Sequence, residues 1–174
     1  QTQNRSSIEA YCIDDGSVSS NIHFLYITLP NWLHPLLQFQ GAHQFYYFLW
    51  QGKAYFSARK FHRKFQFELF HHITYANDWM ASYIGALLPI AYVRGPGGGA
   101  HRTPKIFLKQ YDFRGRIWEH IRSIGQYIFR HDPFFMLGQQ RARAILVCNK
   151  EAYDALPKRW SHKVHMFAVC GVSS

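Results

Sequence analysis

The chain has 174 residues, 48% apolar and 18% aromatic, which excludes a disordered or low-complexity protein and is enough for a buried core. Lys and Arg number 20 against 10 Asp and Glu, so the formal net charge is +10. This charge favours an anionic partner, whether nucleic acid, an anionic membrane surface or a phosphorylated ligand. The three cysteines are far apart and lack zinc-ligand spacing, which predicts buried, reduced thiols in a reducing compartment (Cys12, Cys148 and Cys170).

Neither a signal peptide nor a membrane span is predicted. The first sixteen residues are polar with mixed charge, and the longest apolar run, residues 80–93, is too short and is broken by Gly85 and Pro89. The chain begins with Gln rather than Met and ends without a closing element. We therefore expect it to be a fragment of a longer protein.

The first half of the chain predicts one strand and one long helix. Residues 21–29 are β-branched and aromatic and end at Pro30, which favours a strand. A helix is predicted over residues 43–64, because apolar residues recur every three or four positions (Tyr47, Trp50, Ala54, Ala58, Phe61 and Phe65). Lys and Arg occupy its other faces. This helix either packs on a sheet or presents a basic, aromatic surface to anionic lipid, and the sequence leaves both interpretations open.

A strand–helix–strand pattern over residues 67–104 is the centre of the predicted fold. Short apolar runs at residues 68–73 and 90–93 flank a helical segment that Pro89 closes, and a glycine-rich turn follows at residues 95–99. In parallel sheets ligands bind beyond the carboxyl ends of the strands. We therefore expect any functional site to lie at this turn and at the end of the preceding strand.

The remaining residues predict a helix-rich insertion and two further strands. One helix begins at Thr103-Pro104 and is interrupted at Gly115, a second runs to about Arg130, and a third begins at Asp132-Pro133 and runs to about Arg143. Residues 144–148 predict a strand buried on both faces, residues 149–156 a short helix and residues 163–169 the last strand. The pattern predicts one α/β domain.

The glycine turn is the first candidate site. Gly98 and Gly99 can adopt positive φ and let a ligand approach backbone N–H groups ahead of a helix N-terminus. Nearby cations would favour a phosphate (Arg94, His101, Arg102 and Lys105). The turn is neither a GxGxxG fingerprint nor a P-loop, so a purely structural strand-to-helix turn stays open.

The histidine pair is the second candidate site. His71 and His72 point to opposite faces of their strand, so the sequence leaves open which of them faces a cleft, or whether either is only structural. Asp78 could orient a histidine or cap a helix. The chain lacks zinc-binding histidine spacing, a GxSxG nucleophile motif and any RNP or zinc-finger pattern, so we expect no metal and no specific nucleic-acid binding.

Five segments, in this order, resemble a known family: QNRSSIE; LPNWL with YYFLWQ; FELFHHITY; RGPGGGAHRTP; and RARAILVCNKEAYDALP followed by KRWSHKVHMFAVCGV. Together they resemble the N-terminal domain of family 4 glycosyltransferases, which have the two-domain GT-B architecture. FELFHHITY resembles a strand ending in Asp-x-x-His-His-x-Thr, with Glu68 in place of the Asp. RGPGGG resembles a Gly-Pro-x-Gly-Gly turn, with Arg94 where a bulky apolar residue is usual.

The resemblance implies a Rossmann-like three-layer α/β domain with a mostly parallel sheet, forming an incomplete GT-B N-terminal domain over residues 1–174. The family's first strand and its C-terminal donor domain would lie outside this chain, so we expect the chain alone to be inactive and poorly folded. The implied catalytic residues are His71 and His72, and the implied substrate-binding residues border the interdomain cleft (Thr74, Arg94, Gly95, Pro96, Gly98 and Gly99).

The function implied is the acceptor-side half of a retaining glycosyltransferase. A nucleotide sugar would be the co-substrate, a glycan or lipid-linked molecule the acceptor, and no metal or other cofactor is expected. We expect a cytoplasmic location, with the inner face of an anionic membrane as a candidate partner. The alternatives are a non-catalytic basic α/β module that binds anionic lipid or nucleic acid, and a different nucleotide-binding α/β enzyme.

Overall fold

The computed structural model describes residues 5–10, 22–39, 42–73, 79–97 and 103–167. The chain divides into two compact units, Gln1–Ser57 and Ala58–Ser174. The prediction of a single partial domain therefore stays a prediction, and each unit is described by itself.

The first unit is helical and irregular. Residues 5–10 are helical, residues 22–30 have no regular structure, and a 3₁₀ helix follows at Asn31–Gln38. The long helix α1 spans Ala42–Phe65 and continues into the second unit. Leu29, Leu33 and Tyr46 form a small buried cluster, against which Leu36, Leu49 and Trp50 pack.

The prediction of a strand at residues 21–29 is wrong, because residues 22–29 do not form a strand. Residue 21 lies outside the described part of the chain. The carbonyl groups here bond to side chains of α1: Trp50 Nε1 donates to Ile27 O at 2.8 Å, and Lys53 Nζ donates to Thr28 O. Strand propensity depends on a neighbouring strand being present. Here the neighbour is a helix, so the β-branched residues do not form a ladder.

Helix α1 has nearly the bounds predicted, but its buried face is shorter than the predicted stripe. Tyr47 and Ala54 are buried and Trp50 is half-buried, whereas Phe65 at the last turn is exposed. Gln51 is also buried, and its amide donates to the Tyr47 hydroxyl. The predicted basic faces are exposed (Lys53, Arg59, Lys60, Arg63 and Lys64).

The second unit contains a four-stranded, all-parallel sheet, which confirms the predicted α/β fold class. Its strands are β1 (Leu69–His72), β2 (Ala91–Gly97), β3 (Ala142–Val147) and β4 (Val164–Met166), in the spatial order β1-β2-β3-β4. All four were predicted near these positions. Several bounds differ: β2 continues through Gly97 into the predicted glycine turn, β3 begins at Ala142 rather than at residue 144, and β4 ends at Met166.

Helices flank this sheet. They are α2 (Tyr83–Leu87), α3 (Lys105–Leu108), α4 (Phe113–Arg130), α5 (Pro133–Arg141) and α6 (Lys150–Asp154), followed by a 3₁₀ helix at Lys158–Lys163. Asp132 caps α5 as predicted, with Pro133 at the first turn and Phe134 N donating to Asp132 Oδ1 at 3.3 Å. Within the described residues no helix is both long and apolar enough to cross a membrane.

The predicted interruption at Gly115 is wrong. Gly115 lies in the first turn of α4, and its N–H donates to the capping carboxylate of Asp112 at 2.8 Å. An N-cap carboxylate satisfies a donor that would otherwise lack a partner at the helix start. The cap therefore begins the helix at Phe113, before the glycine.

The core of the second unit lies on the sheet. Its largest fully buried apolar side chains are Tyr92, Ile145 and Val147, each 1% exposed. The Tyr92 ring stacks on Phe70 and packs so closely on α2 that a Cβ at Gly85 would lie 2.4 Å from Tyr92 Cζ. Burial raises the pKa of the Tyr92 hydroxyl, which hydrogen-bonds Ser82. The β1–β2 layer and α2 are thereby packed together beneath the candidate site.

Candidate functional site

The two predicted motifs meet at the carboxyl ends of β1 and β2. These strands are parallel neighbours in which His71 pairs with Val93 and His72 pairs with Arg94. Side chains alternate along a strand, so the two histidines point to opposite faces, as predicted. His71 is exposed and His72 is half-buried.

His71 contacts the glycine motif directly. Its Nε2 donates to the carbonyl oxygen of Gly95 at 2.6 Å. Because a carbonyl can only accept, Nε2 must carry the proton, and in the neutral ring Nδ1 is then the acceptor. The contact joins residues that are 24 positions apart in the sequence and leaves one ring nitrogen able to accept a proton or a hydrogen bond.

His72 lies on the same face as Arg94. Burial, and then the positive charges of Arg94 and His71, lower the pKa of His72 from 6.5 to about 4. The imidazole is therefore neutral near pH 7. A neutral imidazole can both donate and accept a hydrogen bond, which is what a group positioning a sugar hydroxyl or a phosphate oxygen requires.

Gly95 has a backbone conformation that other residues rarely adopt. Its φ is +91°, and a Cβ there would lie 2.1 Å from the backbone oxygen of Leu146 on β3. The Gly95–Pro96 peptide is cis. Strand β2 runs through Gly97, so Gly95 and Pro96 are part of β2 rather than of a loop after it, which corrects the predicted glycine turn. A role for them in substrate binding stays a prediction.

Four of the predicted residues cannot be placed. Thr74, Gly98 and Gly99 lie outside the described residues, and so does Asp78. Of the predicted phosphate cluster, Arg94 lies on β2 and Lys105 is the first residue of α3, whereas His101 and Arg102 lie outside the described residues. Arg94 does not face solvent but is 7% exposed, contrary to a surface cluster.

A cavity of about 490 Å³ lies on the Arg94 side of the sheet. Strands β2 and β3 form its floor. The end of α4 and the start of α5 form one wall, and α6 with the segment after it forms the other wall. The lining residues are Arg94, Ser123, Gln126, Tyr127, Arg130, His131, Phe135, Met136, Ile145, Val147, Ala152, Ala155, Leu156, Pro157, Arg159 and Trp160.

The cavity combines cationic and aromatic groups. The Arg94 guanidinium lies 4.9 Å from the Phe135 ring centroid, and that of Arg159 lies 4.6 Å from the Trp160 centroid. Arg130 supplies a third guanidinium, and none of the described residues that line the cavity is acidic. A guanidinium group gains a cation–π contact over an aromatic ring, and its planar set of N–H donors matches the geometry of a carboxylate or phosphate.

Sequence reasoning did not find most of this cavity. Gln126, Arg130, His131 and Arg159 were not predicted as site residues, because they are dispersed over 34 positions and form no motif. The sequence feature that could have pointed to this region was Asp132-Pro133, which predicts the start of a helix next to His131. His131 Nδ1 donates to Tyr127 O at 2.7 Å, so its ring is positioned by the last turn of α4.

Metal ligation has no support among the described residues, where no three His, Cys, Asp or Glu side chains are grouped to hold an ion. Cys148 is the only cysteine described; its thiol donates to Gly97 O at 3.1 Å. The described residues of the site offer imidazole, guanidinium and backbone groups.

No protein-family model, curated protein or solved structure significantly matches this chain.

Proposed function

We propose that this chain is the acceptor-side domain of a retaining glycosyltransferase, which transfers a sugar from a nucleotide-sugar donor to a glycan or lipid-linked acceptor. The observation that carries the proposal is the hydrogen bond between His71 and Gly95, with His72 beside Arg94. Two motifs that resemble the family, separated by 24 positions, lie together at the carboxyl ends of adjacent parallel strands, where such sheets bind ligands.

The charges of the site suit this chemistry. Breaking the bond between the anomeric carbon and the diphosphate oxygen releases an anion, and positioned cations and hydrogen-bond donors lower the barrier to that step. In this proposal the neutral imidazole of His72, together with the side chain of His71, holds sugar or phosphate oxygens. The arginines of the cavity bind an anionic group of the acceptor, and the reaction uses no metal or other cofactor held by this domain.

The position of β1 agrees with the proposed architecture. Among the described residues β1 pairs with β2 alone and is the edge strand of the sheet, with Leu69 and Ile73 exposed. The resemblance expects a further parallel strand at this edge. An unpaired edge and uncovered apolar side chains are costly, so a neighbouring strand would stabilise the fold.

The test uses the natural protein that contains this chain, supplied with UDP- and GDP-sugars and a mixture of glycan and lipid-linked acceptors. We expect release of nucleoside diphosphate, reduced about 10²-fold or more by His72→Ala. The control is His120→Ala, an exposed histidine on α4 whose Nδ1 bonds the local Arg116 carbonyl. Equal activity of His72→Ala and wild type, or turnover by the 174-residue chain alone, would contradict the proposal.

The second candidate function is a non-catalytic basic module that binds anionic lipid or nucleic acid. It is favoured by the net charge of +10 and by the exposed faces of α1 and α4. In that case binding would weaken steeply with salt, and substitutions at His72 or Gly95 would leave it unchanged.

A further inference from the structure

Helix α4 turns its apolar stripe towards solvent. Its bulky apolar residues recur at the spacing of a single helical face, and all are exposed: Phe113 79%, Ile117 43%, Ile121 52%, Ile124 58% and Ile128 60%. A surface helix of a globular protein normally buries such a stripe. Here the stripe has no cover from the described residues of the chain.

The one buried residue of α4 is polar. Gln126 is 5% exposed and lines the cavity together with Ser123 and Arg130. At about 100° per residue, Gln126 lies on the side of the helix opposite to Ile117 and Ile124. The ring of Phe129, on the same side of α4 as Gln126, packs against Trp79 with 5.5 Å between the ring centroids, and this contact favours the orientation in which the stripe points outward.

The apolar surface continues onto the preceding helix. Ile106 and Phe107 of α3 are 68% and 51% exposed. The connection is held by Arg116, whose guanidinium donates to Tyr111 O at 3.0 Å and to Lys109 O at 3.3 Å. We call α3, α4 and the turn between them the α3–α4 surface.

The α3–α4 surface is strongly cationic. Residues 105–130 contain six Lys or Arg and two acidic residues; of the six, Arg130 lines the cavity, so five belong to the α3–α4 surface. Both acidic groups are engaged within the unit: Asp112 caps α4, while Glu119 accepts from Thr103 Oγ1 at 2.9 Å and Arg122 Nη2 at 3.1 Å. Long arginine side chains flanking an apolar stripe can extend to lipid phosphates while the stripe enters the acyl region.

The charge also argues against self-association. A second copy of a chain with net charge +10 would bring two cationic α3–α4 surfaces together, which like-charge repulsion opposes. An anionic bilayer complements the charge and accepts a convex ridge of any shape. We propose that the α3–α4 surface docks onto an anionic lipid bilayer, with α4 lying in the interfacial plane and its isoleucines inserted.

This inference goes beyond the proposed sugar transfer and does not depend on it, because docking needs neither donor nor acceptor. It also places the membrane contact elsewhere than the open interpretation in which α1 presents a basic, aromatic surface to anionic lipid. The exposed face of α1 is basic but has no equivalent run of exposed isoleucines.

The test is co-sedimentation of the full chain with vesicles, in the absence of any nucleotide sugar. Wild type should bind phosphatidylcholine vesicles that contain phosphatidylglycerol much more tightly than pure phosphatidylcholine vesicles, and less tightly as salt rises. Ile121→Asp with Ile124→Asp should weaken this binding about tenfold or more. Both positions are more than half exposed, so the fold should be kept, which circular dichroism can verify.

A matched control is Ile22→Asp with Leu25→Asp, at apolar positions of comparable exposure (53% and 47%) outside the surface. It should bind vesicles like wild type. Unchanged binding by the α4 double variant would overturn the proposal. So would a wild-type dimer, seen by sedimentation velocity, that the α4 variant abolishes, because the stripe would then be a protein interface.

Discussion

At the scale of single residues, close backbone and ring contacts decide which side chains the site can tolerate. Two features require glycine at position 95. Its φ is +91°, which other residues rarely adopt, and a Cβ there would lie 2.1 Å from the backbone oxygen of Leu146. Gly85 is required for another reason: it has an ordinary φ, but the Tyr92 ring occupies the place of its side chain. Tyr92 is buried and cannot move aside, so Gly85 sets the distance between α2 and the sheet.

Substituting Gly85 with Ala should therefore destabilise the second unit by about 1–3 kcal/mol, the usual cost of overpacking a core. The matched control is Gly125→Ala on α4, where a Cβ meets nothing within 4 Å. There the higher helix propensity of alanine should stabilise by about 0.5–1 kcal/mol. Urea denaturation of both variants tests this, and a destabilised Gly125→Ala or a stabilised Gly85→Ala would refute the packing argument.

At the scale of elements, two basic side chains donate hydrogen bonds to backbone carbonyl groups at the ends of helices. Arg141 donates to Ala86 O at 3.2 Å and to Leu88 O at 2.9 Å, at the end of α2. Lys163 Nζ donates to Gln139 O, Gln140 O and Ala142 O at 2.6, 2.9 and 3.0 Å, where α5 passes into β3. Helix C-termini carry carbonyls without intrahelical partners, and cations satisfy them.

Lys163→Met should leave these three carbonyls without their donor and destabilise the unit by about 1–3 kcal/mol. The control is Lys158→Met, an exposed lysine in the same 3₁₀ helix, which should change stability by less than about 0.5 kcal/mol. Thermal and urea unfolding of the two variants distinguish them. Equal stability of both would mean that the contacts of Lys163 contribute nothing.

At the scale of the whole molecule, arginine side chains occupy both buried and exposed positions. Arg94 is nearly buried and lowers the pKa of its neighbour His72, while other arginines face the surface of α4. Folding therefore keeps His72 neutral in surroundings that oppose a further positive charge. Global stability must then depend on pH through this histidine.

In the unfolded chain His72 should regain a pKa near 6.5, so between about pH 6.5 and pH 4 the unfolded state binds a proton that the folded state does not. Stability should therefore fall as the pH falls through this range, by at most about 3 kcal/mol, and by less because His72 is only half-buried. Urea unfolding at several pH values measures the slope. His72→Gln should flatten it, His120→Gln should not, and identical slopes for both variants would contradict the assignment.

Much of the second unit was predictable because its signals are local. Four short apolar runs became the four parallel strands, and Asp132-Pro133 marked the start of α5 as capping chemistry requires. The strand predicted at residues 21–29 failed for a non-local reason, since Trp50 and Lys53 of α1 bond the carbonyls that a strand would have needed. The end of β2 was misjudged because glycines that suggest a turn are here required by the close approach of β3.

The sequence by itself determined the α/β class, the alternation of His71 and His72, and the positions of most elements, because periodicity and capping depend on neighbours along the chain. Only the tertiary structure decided that Arg94 is buried, that His71 bonds Gly95, and that α4 presents its isoleucines to solvent. Those features depend on which strand lies beside which and on how a helix is rotated on the sheet. That rotation is set by the packing of dispersed residues such as Gln126 and Phe135 around a shared cavity, which leaves no local pattern.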